Sequence, residues 1–153
     1  MAITRAFKNA VHQERRKTPL VVNGDMAVAQ RSTSVTGLGD GDEGYVTVDR
    51  MRHTIAAGAG RFTSKQTADA PNDSGFDKCL ELDCTTADTS IAADEVFNLD
   101  YRIEGHDVQH LKYGTSDAEY LTVGFWMKAD AAVAYSAGFI NSDNTRHIRS
   151  LFT

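Results

Sequence analysis

"VFNLDYRIEG", residues 96–105, decides the class of fold. Phe97, Leu99, Tyr101 and Ile103 alternate with Asn98, Asp100, Arg102 and Glu104. Successive side chains on a strand point to opposite faces, so this spacing builds one apolar face and one polar face. Strand character recurs on both sides of it. In "KCLELDC" (78–84), Leu80, Leu82 and Cys84 share a face. "GYVTVDRMRHTIA" (44–56) is rich in β-branched and aromatic residues, which suit a pleated, half-buried surface. "LTVGFWMK" (121–128) sets Leu121, Val123, Phe125 and Met127 against Thr122, Gly124, Trp126 and Lys128. "AVAYSAGFI" (132–140) and "TRHIRSLFT" (145–153) follow, and "LVVNGDMAVAQR" (20–31) precedes them with a turn signal at Asn23-Gly24. Clusters of Gly, Asp, Asn and Ser separate the segments: "GLGDGDEG", "TADAPNDSG", "TTADTSIAAD" and "NSDN". Short strands between turn signals predict a sandwich or barrel. The one helical turn is expected in "IEGHDVQHLKYGT" (103–115), between two glycines.

The chain has 153 residues, which suits one domain. Residues 1–19 read as an arm and 20–153 as the β domain. The arm carries Arg5, Lys8, Arg15, Arg16 and Lys17, and Pro19 keeps Thr18 extended. It is either a frayed terminus or a peptide that orders on a partner. The formal net charge is -5, which argues against a general nucleic-acid binder. No apolar run approaches the roughly 20 residues that span a bilayer. The start of the chain lacks an apolar stretch of signal-peptide length, so synthesis and retention in a cytoplasm are expected. Cys79 and Cys84 are five residues apart, about 16 Å on an extended strand. A disulfide needs Cα atoms within about 7 Å, so both are read as free thiols.

Three constellations invite a chemical reading. His106 and His110 in "HDVQH" have the i, i+4 spacing of a metalloprotease helix. The acid is Asp107 rather than Glu, the interval between the glycines is short, and no third ligand is evident, so a turn is expected instead. "DGDEG" (40–44) is an acidic glycine loop; it reads as solvated, with calcium as the alternative, although the EF-hand spacing is absent. The histidines at positions 12, 53, 106, 110 and 147 form no triad order. No phosphate-cradling glycine motif follows a strand. We therefore expect no catalytic residues, no metal and no cofactor.

Trp126, the only tryptophan, sits among the polar positions of its segment. Either that face is also covered, in the fold or by a neighbouring subunit, or the indole touches a ligand. Burial is the expected outcome, since tryptophan is highly buried on average. Trp126 and Arg102, the cation on the polar face of 96–105, are the candidate ligand contacts.

The order of segments resembles a family of bacteriophage virion appendage proteins, of tail-fibre or receptor-binding type, with a jelly-roll domain similar to carbohydrate-binding modules. Asn23, Gly24, Gln30 and Arg31 match its first motif, and Tyr45, Asp49 and Arg50 its second. Ile103, Glu104, Gly105, Leu111, Gly114, Thr115, Phe125, Trp126 and Lys128 match its third. Met51 stands where the family has tryptophan, and the family pattern continues beyond "SLFT". The resemblance implies an all-β, jelly-roll-like antiparallel β-sandwich, incomplete at its C-terminal end unless further chain or a neighbouring subunit supplies strands. It implies a virion protein assembled in the host cytoplasm. The expected partners are other virion proteins, copies of itself (a trimer among the options) and a host-surface polysaccharide. A head-decoration or other structural virion protein is the alternative. A glycan-degrading enzyme comes third, with Glu104 and Asp107 as its only candidate carboxylates.

Overall fold

The computed structural model describes residues 20–153 apart from positions 73 and 132. The expected arm over 1–19, with its five basic residues, lies outside the described residues. The chain is all-β and antiparallel, and it divides into two units, Met1–Leu121 and Thr122–Thr153.

In the first unit, one sheet orders β1 (Ser34–Leu38), β4 (Arg61–Thr67) and β5 (Cys79–Thr86). The other orders β2 (Glu43–Gly44), β3 (Met51–Ala56) and β6 (Val96–Tyr101). Register fixes which side chains share a face. Met51, His53 and Ile55 stand opposite Tyr101, Leu99 and Phe97. Phe62, Ser64 and Gln66 stand opposite Cys84, Leu82 and Leu80. These two sets face one another. The Phe62 and Phe97 rings stack at 4.3 Å between centroids, and Ser64 Oγ lies 3.2 Å from His53 Nε2. The result is a sandwich-like pair of sheets with the alternation of 96–101 pointing inward, as the sequence predicts.

The core between them is small and mixed. Leu38, Val48, Met51, Ile55 and Leu111 are buried, together with Thr47, His53, Thr63 and Ser64. Fully burying a side chain of the Ile or Met size contributes about 1.5–3 kcal/mol. β5 and β6 are edge strands, and the inward residues Phe97 and Leu99 of β6 stay exposed beyond the rim of the core. The helical turn expected in 103–115 is a 3-10 helix over Gly105–Leu111, ended by Lys112 in the left-handed region at φ 52. Its Leu111 joins the core.

Two strand expectations before residue 60 need correction. "LVVNGDMAVAQR" forms turns and extended coil rather than a strand, because Asn23 and Met26 both take positive φ. "GYVTVDRMRHTIA" is not one strand: Arg50, at φ 73, separates β3 from the segment before it. β1 and β4 arise where no strand was expected. β4, "RFTSKQT", has one strongly apolar residue, and its inward Ser64 and Gln66 are held by hydrogen bonds instead.

The second unit holds one hairpin, β7 (Tyr135–Ile140) paired with β8 (His147–Phe152). Asn141 locks its turn: Oδ1 accepts from the Thr145 and Arg146 N–H groups at 3.0 and 2.8 Å. A Cβ on Gly138 would lie 2.1 Å from the Ile148 carbonyl oxygen, so only glycine fits where β7 meets β8. Residues 121–129, expected as a strand, form none. A strand exists through its ladder partners, and the sheet of this unit contains β7 and β8 alone among the described residues. The eight strands are thus shared among sheets of three, three and two.

Candidate functional site

The residues of the first two motifs meet. Asn23 Oδ1 accepts from Val28 N–H at 2.8 Å, while Nδ2 donates to the carbonyls of Val28 and Asp49 at 3.0 and 2.9 Å. Asp49 Oδ1 accepts from Gln30 N–H at 3.1 Å and lies 3.7 Å from Arg31 Nη1. The Arg31 guanidinium sits 5.6 Å from the Tyr45 ring centroid. The neighbouring Arg50 lies over Tyr101 at 5.5 Å and reaches Glu104 Oε1 at 3.5 Å. Contact with Tyr101, and after it Glu104, holds the Arg50 pKa above its ordinary value. The Tyr101 hydroxyl in turn accepts from Val22 N–H at 2.8 Å. The arrangement fastens the 22–31 segment to β3 and β6, and its chemistry is structural.

The outer face of the β2–β3–β6 sheet carries a second ionic group. Arg52 pairs with Glu43 and, at 3.1 Å, with Asp100 Oδ2. The hydrogen bond to Glu43 is the main reason that the Arg52 pKa is raised, ahead of the smaller effect of Asp100.

The "DGDEG" carboxylates are spent on the backbone and on Arg52. Asp40 Oδ1 accepts from Ala57 N–H at 2.6 Å, Asp42 Oδ2 accepts from Gly39 N–H at 2.8 Å, and Glu43 binds Arg52. Only Asp42 turns back on its own loop; Asp40 reaches the Ala57 backbone and Glu43 the Arg52 side chain, so the three do not share a partner. In "HDVQH" the 3-10 geometry settles the matter differently. Three residues per turn place i and i+3 in line, so His106 and His110 leave the common face that an α-helix would give them. His106 instead lies between Glu104, at 3.5 Å, and Asp107, at 3.0 Å. The two carboxylates named for a glycan-cleaving site therefore share a histidine. Cys79 and Cys84 are free, as expected. Among the described residues no group of three or more His, Cys, Asp or Glu could hold a metal ion.

The candidate ligand contacts lie in different units. Arg102 is exposed one residue past β6. Trp126 is 70% exposed, which corrects the expectation of burial within the chain. The cause lies next to it. Phe125 is the ring that the hairpin engages, edge-on to Phe152 at 5.5 Å between centroids, and Phe152 stacks on Tyr135 at 6.0 Å. Those three rings form an aromatic cluster on the β7–β8 pair, and the adjacent indole is left open to solvent.

Sequence reasoning missed two features. The first is a cleft of about 310 Å³ in the first unit, lined by Ile55, Phe62, Cys84, Ile91, Glu95 and Phe97. Only the pairing of Phe62 with Cys84 and of Ile55 with Phe97 brings these residues together. The second is the buried His53, whose place opposite Leu99 follows from the alternation of β3 and β6. No helix among the described residues is long and apolar enough to cross a membrane. No protein-family model, curated protein or solved structure matches the chain.

Proposed function

We propose that this chain is a bacteriophage virion protein, a tail-fibre or receptor-binding appendage component that holds a host-surface glycan against Trp126. The resemblance of its three motifs to that family supports the virion reading. The exposure of Trp126 carries the binding reading: an indole open to solvent beside an ordered aromatic cluster is a platform for the apolar face of a sugar ring. The basic arm joins the chain to another virion protein by charge complementarity.

Exposed Ile148 and Leu151 on β8 favour a second reading, a purely structural virion protein in which neighbouring copies cover the hairpin. One variant separates the two. Trp126→Ala should change unfolding free energy by no more than about 0.5 kcal/mol, as surface substitutions do. On the glycan reading it abolishes retention on columns of bacterial surface polysaccharide and leaves particle incorporation intact. Intact retention with lost incorporation would make the indole a subunit contact and overturn the glycan reading.

A further inference from the structure

His53, Ser64 and Thr47 form a buried polar chain that ties the two sheets of the first unit together. His53 belongs to β3 and Ser64 to β4, and Thr47 lies in the segment before β3. Their exposures are 1%, 0% and 1%. His53 Nε2 lies 3.2 Å from Ser64 Oγ, which lies 2.7 Å from Thr47 Oγ1. The other ring nitrogen, Nδ1, is buried with no hydrogen-bond partner. This stoichiometry is sensitive to one proton. A neutral imidazole needs one donor and one acceptor contact, and Ser64 satisfies one side in either tautomer. An imidazolium has two N–H donors. Ser64 Oγ can accept from Nε2–H, but Nδ1–H then points at nothing and the charge is buried.

The groups around the ring do not rescue that charge. β4 brings neutral Ser64, and its next residue, Lys65, is bound to Glu81 at 2.8 Å. β6 brings Leu99 directly opposite, with Asp100 beside it. The Asp100 charge favours protonation, but Asp100 is already paired with Arg52. β2 brings Gly44 opposite His53, and its Glu43 is also paired with Arg52. Burial outweighs Asp100 and holds the His53 pKa below its ordinary value of 6.5.

We propose that the His53–Ser64–Thr47 chain is an acid-sensitive catch: neutral, it joins the two sheets, and protonated, it drives them apart and opens the first unit. The direction follows from linkage. A histidine whose native pKa is depressed contributes its full stability above the unfolded value near 6.5 and loses it as pH falls below that value.

The test uses the full chain and His53→Gln. Glutamine keeps an amide within reach of Ser64 and does not titrate. Amide hydrogen exchange of β3 and β4 is followed from pH 7.5 to 5.0, corrected for the intrinsic rate. Wild-type protection should fall about tenfold for each unit by which the pKa is depressed, and the variant should hold its protection. The two proteins differ only at position 53, so every other contribution cancels in the comparison. Equal losses in the two overturn the proposal. If His53→Gln does not fold, the wild-type ring resonance decides. A neutral His53 ring that persists below pH 6.5 until β3 and β4 lose protection supports the catch. A ring that titrates near 6.5 with protection unchanged ends it.

Discussion

Ile55 on β3 and Ile148 on β8 are the same residue in strands of six residues with antiparallel partners, yet Ile55 is 3% exposed and Ile148 is 77% exposed. The difference between the two units is a second layer. β3 lies in a sheet whose inner face meets β4, while the β7–β8 ladder is the whole sheet of the second unit among the described residues. No described residue of that unit is buried. Alternation in a sequence records which faces a strand can offer. Burial depends on what arrives opposite, and an isolated two-stranded hairpin is marginal in water.

The sharpest way to break this comparison is to truncate both isoleucines. Ile55→Ala should cost about 2–5 kcal/mol, because it removes buried methylenes and leaves a cavity. Ile148→Ala should stay within about 0.5 kcal/mol. Urea denaturation of the two variants measures both. Comparable losses would mean that β8 is packed in solution, which would favour the structural-subunit reading over the glycan platform.

The same contrast explains what could be read from the residues. The all-β class, β3, β5, β6 and the hairpin strands were legible, because each either is rich in β-branched and aromatic residues or alternates apolar with polar positions. β4 was not, because its inward positions Ser64 and Gln66 are polar. They are stable inside only through Thr47, His53 and the Met26 and Ala27 carbonyls, partners distant in sequence. Residues 121–129 failed in the opposite sense: the pattern of a strand is present and the partner is missing. As for the site, the sequence singled out Trp126 correctly as an anomaly, but its exposure depended on which neighbouring ring Phe152 engages. The catch at His53 was invisible, since histidine on a strand gives no sign of whether its second nitrogen finds a partner.

A polar clasp gives the next largest expected effect. Asn23 sits at φ 60 and makes three hydrogen bonds: two to Val28, which close its own segment, and one to the Asp49 carbonyl, which ties that segment to the turn before β3. Asn23→Ala removes all three and puts an alanine where φ is positive, so a loss of about 1–3 kcal/mol is expected. Asn23→Gly removes the bonds but keeps the backbone freedom, so it should be the milder change. Thermal unfolding of both variants separates the two contributions. If glycine restored wild-type stability, the clasp would be a matter of conformation alone, and the first unit would rest on its apolar core more than its hydrogen bonds indicate.

The smallest effect lies at low pH and distinguishes the units by how they respond to acid. Asp88 in the first unit has its pKa held below 3.8 by N–H donors, Ser90 first and Ala59 next, the latter 29 residues away in sequence. Asp143 in the hairpin turn is held below 3.8 by Thr145 alone among its larger causes, through the hydroxyl and then the N–H. Both are exposed, so each stabilises only modestly. The sign is the same for both. A carboxylate with a depressed native pKa contributes stability above its unfolded value and loses it as pH falls through the native one. Asp143 should therefore cost the hairpin stability as pH falls below 3.8, whereas the first unit should lose stability below 6.5 through His53 and again below 3.8 through Asp88. Carboxyl titrations by NMR sharpen this further. A peptide of residues 135–152 should keep the depressed Asp143 value when its turn forms, because Thr145 travels with it. A peptide of residues 85–95 should recover part of the ordinary Asp88 value, because Ala59 is gone. Loss of β7–β8 protection between pH 6.5 and 5 would show that the hairpin follows the acid transition of the first unit, and the two regions would then have to be treated as one cooperative body.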